Sequence, residues 1–568
     1  MAWNISASAI RNPTPVIMLF LALIGAGLMS FFQLPINQTP DVELPTFTVT
    51  TSRPGAAPAE MEAQVAQKIE SALSGIDGVK RITTTINTGV AVTTVELWDG
   101  VDLSRAVDDA RNDIATVRAD LPDDILEPTI ARIDFAAIPI GYFAVESRTM
   151  SPEDLAWYVE NDLSRQLLAV SGVSRIERFG GANREIRVEL DPEKMRAFGA
   201  TPADVNTQLL SVNVNAPGGR ADISGNTQTV RTIGEAKSVE DLAATSIILP
   251  GGLRVRLSDI ADVRDASDDP TVIGRYNGRS VVGFGVSRAK SASAVGTFDR
   301  ITEKLEEIGK QRSDVKIFFM ANLIDSTRAI YESSLMSILE GAVLAVIVVM
   351  LVLRDWRATL ISAAAIPLSI IPTFFVMHTL GFTLNFMTLM GLGLVVGVLV
   401  DDAIVEVENI VRHMRMGKRP FKAALEAADE IGLAVVATSC VIMAVFVPVA
   451  FMPGVTGQFF RAFGVTIAVS VFFSLLVARL ITPMMAAFFL KDTGHEDKPS
   501  KLRDRYMKTL SWSLRRPWMT AGAGLAVFIG SLMVAATIPT TLIPRMDEDF
   551  LQVRIEFSPG TTMNEADV

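Results

Sequence analysis

Seven stretches of the sequence are apolar for long enough to cross a membrane as helices. A helix needs about 20 mainly apolar residues to span the ~30 Å hydrocarbon core of a bilayer. The predicted spans cover approximately residues 14–34, 330–353, 359–380, 386–407, 431–452, 463–490 and 518–539. The first is too long for the apolar part of a signal peptide, and its end, "GLMSFFQLP", lacks a small-x-small cleavage pattern. We therefore expect it to be an uncleaved anchor.

Residues 35–328, between the first two spans, follow a different pattern. "TFTVTTS" alternates as a strand, "APAEMEAQVAQKIESALSGI" has the period of an amphipathic helix, and "KRITTTI" and "AVTTVELW" predict a pair of strands. A similar order begins again at "IGYFAVES". A Gly- and Asn-rich stretch, "NVNAPGGRADISGNTQTV", interrupts this second unit as a hairpin or loop insertion. The βαββα order indicates two ferredoxin-like sandwiches.

Basic residues in the connections predict the orientation of the spans, because short loops rich in Lys and Arg stay in the cytoplasm. Such residues occur between spans 2 and 3, between spans 4 and 5, and most densely at 491–516, between spans 6 and 7. The alternate connections "HTLGFTLN" and "FMPGVTGQFFRAF" together carry only Arg461. We therefore expect a cytoplasmic N-terminus, with residues 35–328 on the outer side of the membrane.

Composition narrows the classes of function. With 568 residues, 49% hydrophobic and 20% charged, the chain must combine membrane-embedded and water-exposed parts. Its net charge of -11 and the lack of a basic stripe argue against nucleic acid as a partner. A single cysteine, Cys440, and three histidines argue against a disulfide, a metal site or a histidine-based triad. The sequence also has no GxxxxGK[ST] phosphate loop. We expect no cofactor and no bound metal.

Two adjacent carboxylates, Asp401 and Asp402, stand in the motif "GVLVDDAIVEVEN" at the end of an apolar run. An ionisable residue inside a span costs about 2.5–3.5 kcal/mol on insertion scales and therefore indicates function. Adjacent residues point about 100° apart on a helix, so at least one aspartate should face neighbouring helices. The alternative is a position at the cytoplasmic end of the span, although aspartate is short for reaching the interface. Glu340 lies a turn or more inside the second apolar run and is a further candidate.

A carboxyl group inside a membrane can drive transport if it takes up a proton from one side and releases it to the other. The membrane potential supplies about 2.3 kcal/mol per charge and 100 mV, so no nucleotide is needed. The aspartate pair therefore predicts a proton-coupled secondary transporter rather than an enzyme.

Residues near the C-terminus repeat the start of the chain. The cytoplasmic leader, the span and the strand that follows all recur, with Pro13 matching Pro517 and Pro35 matching Pro539. Such pseudo-symmetry relates the halves of many secondary transporters. We therefore expect the chain to be the N-terminal part of a protein nearly twice as long, with the second copy cut off at Val568.

Four motifs make the chain resemble the resistance-nodulation-division (RND) exporters, in the hydrophobe/amphiphile branch typified by the acriflavine resistance proteins. "GVLVDDAIVEVEN" is the most specific, and "LRDWRATLI", "VFVPVAFMPGVTGQFFRAFGVTI" and "ITPMMAAFFL" support it. The resemblance extends over essentially the whole chain. It implies drug/H+ antiport of hydrophobic and amphiphilic compounds from the inner membrane or periplasm of a Gram-negative bacterium. It also implies a homotrimer whose partners are a periplasmic adaptor protein and an outer-membrane channel.

The resemblance also implies roles for the membrane carboxylates. Asp401 and Asp402 match the proton-relay aspartates of the family, and Glu340 matches an acid often found on the second helix. The family pairs the aspartates with a lysine on a helix of the second half, which is absent here. We therefore expect that this chain alone does not transport.

Two further assignments concern the outer segment. Phe179, in "ERFGG", falls where the family has an aromatic residue of the distal drug pocket, and the alternative is ordinary core packing at a strand end. The stretch 213–219 resembles the arm that contacts the neighbouring protomer. The implied contact residues are Asn213, Asn215, Pro217 and Gly218.

The expected fold is an α+β membrane protein in which a helical bundle carries ferredoxin-like porter subdomains and a docking insertion. The predicted parts are a cytoplasmic leader with membrane helix 1 (1–34), a first porter subdomain (35–130), a second porter subdomain (131–175 and 271–328), a docking insertion (176–270), membrane helices 2–6 (329–490), a cytoplasmic linker with an amphipathic helix (491–517), membrane helix 7 (518–543) and the start of a second periplasmic segment (544–568).

Three other functions compete with drug export. A heavy-metal cation exporter of the same superfamily is the nearest, but its branches usually lack the adjacent aspartates, and apart from Met320 the outer segment offers few soft ligands near its predicted pocket. An intramembrane aspartyl protease needs carboxylates from two helices, and no second apolar run contains an aspartate. A non-drug export accessory with this fold is the third alternative.

Overall fold

The computed structural model describes residues 5–214, 216–223, 226–232, 234–249, 252–268, 272–491, 501–538, 553–558 and 560–567. Two kinds of structure alternate along them. Long apolar helices form a bundle, and antiparallel sheets covered by amphipathic helices form the segment between the first two long helices.

The chain starts with a short helix, α1 (Ile5–Arg11), followed by the long apolar helix α2 (Pro13–Gln33). A proline begins α2, where its fixed φ and missing N–H cost nothing because the first turn has no hydrogen-bond acceptor for that group. After α2 the chain becomes extended and enters the first sheet.

The first β-sheet subdomain has the predicted βαββα order, followed by a further strand. Its elements are β1 (Glu43–Ser52), α3 (Pro58–Met61), α4 (Gln67–Leu73), β2 (Val79–Asn87), β3 (Val90–Leu97), α5 (Leu103–Val117) and β4 (Thr129–Asp134). The strands pair in the order β2-β3-β1-β4, all antiparallel. Alternate residues of β1, such as Phe47 and Val49, are buried beneath the helices. This is the ferredoxin-like sandwich expected from the sequence.

The second subdomain begins in the same way, and an insertion then follows. Its first elements are β5 (Gly141–Ser147), α6 (Pro152–Trp157), α7 (Ser164–Leu168) and β6 (Val173–Phe179). The insertion comprises β7 (Arg184–Leu190), α8 (Pro192–Phe198), α9 (Pro202–Val212), β8 (Ala216–Ile223), β9 (Asn226–Thr232), α10 (Val239–Ala243), β10 (Ser246–Ile248), β11 (Arg254–Arg256), α11 (Leu257–Ile260) and β12 (Ala261–Ser267).

The insertion has a hydrophobic core of its own. Its first and last strands, β7 and β12, pair antiparallel, so the chain returns to the place where it left the second subdomain. Met195, Val205 and Ile247 are among the buried residues of this core. The Gly- and Asn-rich stretch is a hairpin of β8 and β9, as predicted, and Asn215 lies outside the described residues.

After the insertion the chain completes the second sheet. The remaining elements are β13 (Gly274–Tyr276), β14 (Arg279–Arg288), α12 (Ala294–Gln311) and β15 (Val315–Asn322). The strands lie in the order β6-β14-β5-β15, with β13 beside the start of β14. This order is again ferredoxin-like, so both predicted sandwiches are confirmed. The helices cover one face, where Phe143, Val145 and Phe284 are buried.

The remaining long helices form the membrane part. They are α13 (Ile324–Leu353), α14 (Trp356–Thr379), α15 (Phe386–Arg415), α16 (Pro420–Phe446), α17 (Gly454–Leu476), α18 (Thr482–Phe489), α19 (Lys501–Arg515) and α20 (Pro517–Ala535), and a last short helix is α21 (Met563–Ala566). A π-helical turn, Val477–Ile481, joins α17 and α18 into one span. The described residues therefore contain seven helices that are long and apolar enough to cross a membrane, as predicted.

Helix α15 is at the centre of the bundle and packs against α13, α14, α16, α17 and α18. By contrast, α20 is exposed along its whole length. It begins at Pro517 as α2 begins at Pro13, in agreement with the sequence repeat, whereas the repeat position Pro539 lies outside the described residues.

Several elements extend past the predicted limits. The helix of span 4 continues past 407 to Arg415, and that of span 5 begins at Pro420 rather than 431. Polar residues on these extensions are paired with one another, so the helices continue beyond the apolar runs. In the sheets, β4 continues to Asp134 and β6 to Phe179, and each strand pairs with its neighbour up to that residue.

Candidate functional site

Asp402 faces the neighbouring helix α16 from the middle of the bundle. Its side chain is half-buried, and the Ser439 hydroxyl donates a hydrogen bond to its Oδ2 at 2.9 Å. The Thr438 hydroxyl lies 3.5 Å from its Oδ1, at the outer limit for a hydrogen bond. One of the two aspartates therefore faces a neighbouring helix, as expected from the 100° between adjacent side chains.

Asp401 points away from α16 and is exposed in this structure. Among the described residues, no group forms a hydrogen bond or an ion pair with it. The two adjacent carboxylates thus occupy different surroundings, one at a helix interface and one on the surface of the bundle.

The pair does not lie at the end of its helix. After Asp402, α15 continues to Arg415, which is about 20 Å further at ~1.5 Å per residue. This continuation has Glu406, Asn409 and His413 on the same face as Asp402, because the spacings of four, three and four residues follow the helical period. All three are buried.

Glu406 and Arg479 form a buried ion pair one turn beyond Asp402. Glu406 is 0% exposed, and its Oε2 lies 3.8 Å from Nη1 of Arg479 in the π-helical turn. Neither residue is among the candidates predicted from the sequence. The signal was present, since Arg479 is an ionisable residue inside an apolar run and Glu406 is spaced four residues from Asp402.

A second charged cluster lies at the far end of α15, where the chain turns into α16. His413 donates from Nε2 to Glu430 at 2.7 Å, and Arg412 donates to the same carboxylate at 2.6 Å. Lys418 forms an ion pair with Glu426 and donates to Nδ1 of His413 at 3.1 Å. Each of these charged groups has at least one close partner.

A model of the AcrB/AcrD/AcrF family matches residues 5–568, which is almost the whole chain. The chain belongs to this family. It is accordingly an RND efflux transporter of the AcrB type and a multi-pass membrane protein, and the family consists of transporters rather than enzymes. The resemblance inferred from the sequence motifs is confirmed.

The third predicted relay residue of this AcrB-type transporter, Glu340, is separate from the aspartates. It lies on the exposed side of α13, and no described residue forms a hydrogen bond or ion pair with it. Ile338 faces Gly393 across the parallel helices α13 and α15. From this register, Glu340 is about 10 Å nearer the sheets than Asp402 along the helix axis.

Phe179 lies on the face of the second sheet that the helices leave open. It pairs with Gly283 of β14, whose neighbours Val282 and Phe284 point to the buried face. Phe179 is 37% exposed, and its ring centroid is 6.2 Å from that of Tyr142. The position is therefore outside the hydrophobic core of this subdomain.

The predicted contact arm of this family member is only partly described. Asn213 follows α9 and accepts a hydrogen bond from the backbone of Ala236 at 2.8 Å. Pro217 and Gly218 belong to β8, whose backbone pairs with β9, and Asn215 lies outside the described residues.

Proposed function

We propose that this transporter exports hydrophobic and amphiphilic compounds in exchange for protons, with Asp401 and Asp402 as the proton-carrying pair. The observation that supports this best is the position of Asp402, a half-buried carboxylate in the central helix of an efflux transporter. Such a group is costly in a membrane and is retained where it serves transport.

The contact with α16 offers a way for protonation to change the conformation. As a carboxylate, Asp402 accepts the hydrogen bond from Ser439. As a neutral acid it carries no charge and has a proton of its own to donate, so the contact between α15 and α16 is weakened or reversed. A ligand shifts an equilibrium only if it interacts differently with the two states, and the proton meets this condition here.

Substrate contact is assigned to the open face of the second sheet. Phe179 and Tyr142 present aromatic surface there, and Gly285 allows the Phe179 ring to lie against the sheet, because a Cβ would approach its Cε2 to 3.1 Å. Aromatic rings bind apolar and amphiphilic molecules through large contact areas without requiring one polar geometry. This surface supports a broad range of hydrophobic substrates.

The location of the transporter in the cell and its assembly with partners are part of the same proposal. The basic connection between α15 and α16 favours the cytoplasmic side for that end of the bundle. This supports the proposal that the sheets lie in the periplasm and the transporter in the inner membrane. The two sandwiches then correspond to porter subdomains and the β7–β12 insertion to a docking region. The β8–β9 hairpin is suited to reach a neighbouring copy in a homotrimer. A periplasmic adaptor and an outer-membrane channel complete the proposed system.

Export from cells tests the proposal. The complete gene is expressed in an efflux-deficient Gram-negative host, and dye accumulation is measured for the wild type, Asp401→Asn, Asp402→Asn and Glu340→Gln at equal membrane abundance. We expect Asp402→Asn to abolish the same efflux that a protonophore abolishes, and Glu340→Gln to reduce it less, because Glu340 is exposed. Glu408 lies on the same helix as Asp402 and is exposed, so Glu408→Gln is the matched control.

Two results would contradict the proposal. If both aspartate variants export as well as the wild type, the pair is not the proton site. If a protonophore leaves efflux unchanged, transport is not driven by protons.

A further inference from the structure

Glu406 is a buried carboxylate that accepts no hydrogen bond within the described part of the chain. Its side chain is 0% exposed, and neither carboxylate oxygen accepts a hydrogen bond from any described protein group. Buried polar groups are usually satisfied, and an exception needs an explanation. An ionised carboxylate in such a place is stable only if a counter-charge compensates the loss of water.

Arg479 supplies that counter-charge from another part of the chain. Its Nη1 lies 3.8 Å from Oε2 of Glu406, which is too far for a hydrogen bond. The same Nη1 donates a hydrogen bond of 2.7 Å to the carbonyl oxygen of Ala428. The guanidinium is thus anchored to the α16 backbone rather than to the carboxylate. Gly432 makes room for it, because a Cβ at this position would come within 2.6 Å of Nη2.

The backbone that carries Arg479 is also unusual. The residue belongs to the π-helical turn Val477–Ile481, which interrupts the span formed by α17 and α18. π-helical turns insert an extra residue into a helix and occur frequently at functional sites.

Glu406 lies between Asp402 and the basic end of α15. The two carboxylates are one helical turn apart, about 6 Å along the axis, on the face that continues through Asn409 to His413. Arg479, which attracts the Glu406 carboxylate, and Asp402, which repels it, are the described charged groups that act on it. A polar stripe therefore connects the aspartate to the end of the helix assigned to the cytoplasm.

We propose that Glu406 is a second protonation site of this transporter and passes protons between Asp402 and the cytoplasmic end of α15, with Arg479 as its fixed counter-charge. This inference rests on the proposed function. Both protonation states fit the geometry. The ionised form is compensated by the guanidinium, and the neutral form leaves Arg479 held by Ala428. When neutral Asp402 passes its proton to ionised Glu406, the negative charge moves to Asp402, where the Ser439 hydroxyl donates a hydrogen bond to the carboxylate.

A structural ion pair is the competing explanation. Structural pairs gain their stability from close, multiple hydrogen bonds, and replacing even good buried pairs by apolar residues of similar size is often neutral or stabilising. If Glu406 and Arg479 serve only packing, a double apolar replacement should therefore preserve export. If Glu406 carries protons, the same replacement should abolish it.

The test compares four variants of the complete protein in proteoliposomes with an imposed proton gradient. They are Glu406→Gln, the matched control Glu408→Gln, the double variant Glu406→Leu/Arg479→Met, and Asp402→Asn as the reference for loss of coupling. Substrate export is measured from acidic to alkaline pH. We expect Glu406→Gln to slow export by about 100-fold, the scale of one positioned proton-transfer group, and the double variant to remain inactive, whereas Glu408→Gln behaves as the wild type.

Infrared difference spectra between acidic and alkaline pH give a second readout that does not depend on export. Relative to Glu408→Gln, the Glu406→Gln variant should lack one carboxyl signal. Wild-type export by Glu406→Gln, restored export by the double variant, or an unchanged spectrum would each overturn the inference. Wild-type export by Asp402→Asn would instead overturn the proposed function itself, so the two failures are distinguishable.

Discussion

Two charged clusters lie on the same face of α15, about two turns apart, and differ in how their charges are satisfied. Near the end of the helix, Glu430 receives hydrogen bonds from both Arg412 and His413. In the middle, Glu406 receives none from the described residues and faces Arg479 at 3.8 Å. Burial differs as well, since Glu406 is 0% exposed whereas the side chain of Glu430 is 47% exposed.

The difference indicates two kinds of role. The Glu430 cluster joins the ends of α15 and α16 where half-exposed carboxylates retain access to water, so its bonds serve to hold the helices together. The Glu406 pair lies deeper, where an unsatisfied charge costs most. A deep charge that is left without hydrogen bonds is better suited to gaining and losing a proton than to stabilising a fold.

Removing the counter-charge should give the largest effect. In Arg479→Met, the ionised Glu406 is buried without compensation, at a cost of about 3–5 kcal/mol, unless it takes up a proton. The variant should therefore be less stable than the wild type at alkaline pH, recover part of the loss at acidic pH, and export little at either. Thermal unfolding in detergent at both pH values measures this. Arg412→Met is the control, and an equal, pH-independent loss in both variants would contradict the comparison.

Displacing the guanidinium should have the next largest effect. In Gly432→Ala, the new Cβ occupies the space of the Arg479 guanidinium, which must leave its present position beside Glu406. We expect export to fall by about tenfold, equivalent to ~1.4 kcal/mol, with the protein still folded. The control is Gly341→Ala in α13, where a Cβ would meet no described atom within 4 Å. Equal export rates for the two alanine variants would show that the position of Arg479 is unimportant.

Loss of the hydroxyl beside Asp402 should have a smaller effect. Ser439→Ala removes a hydroxyl that lies within hydrogen-bond distance of both Asp402 and the carbonyl oxygen of Val435 in its own helix. The bond to Asp402 is worth about 1 kcal/mol, so export should decrease by a few-fold and its dependence on pH should change. The comparison is Ser337→Ala, because the Ser337 hydroxyl bonds only to the backbone of its own helix. An unchanged pH profile in Ser439→Ala would mean that this contact does not influence proton binding.

The cluster at the end of α15 should affect export least. Glu430→Gln weakens the bonds to Arg412 and His413, so the melting temperature should decrease slightly while export per folded molecule stays at the wild-type rate. Export and thermal unfolding are measured on the same preparation. A strong loss of export with unchanged stability would place this cluster, too, in the proton path and remove the contrast between the two regions.

Much of the fold was predictable because it depends on local periodicity. The seven spans follow from the length of their apolar runs, and both sandwiches follow from strands of period two alternating with amphipathic helices. The helices α15 and α16 extend beyond the apolar runs that end near 407 and begin near 431. Contacts between the two helices, such as the bond from Arg412 to Glu430, continue them.

The sequence predicts the candidate site only where a charged residue stands inside an apolar run, because such a residue is costly in the membrane. The sequence by itself determined that Asp401 and Asp402 lie in a span and that the chain resembles the RND exporters, since both depend on residues that are neighbours along the chain. Tertiary structure decided that Asp402 rather than Asp401 faces α16, and that Glu406 meets Arg479 on a π-helical turn beside Gly432. These contacts join distant parts of the chain, and their geometry is determined by how whole helices rotate and pack against one another.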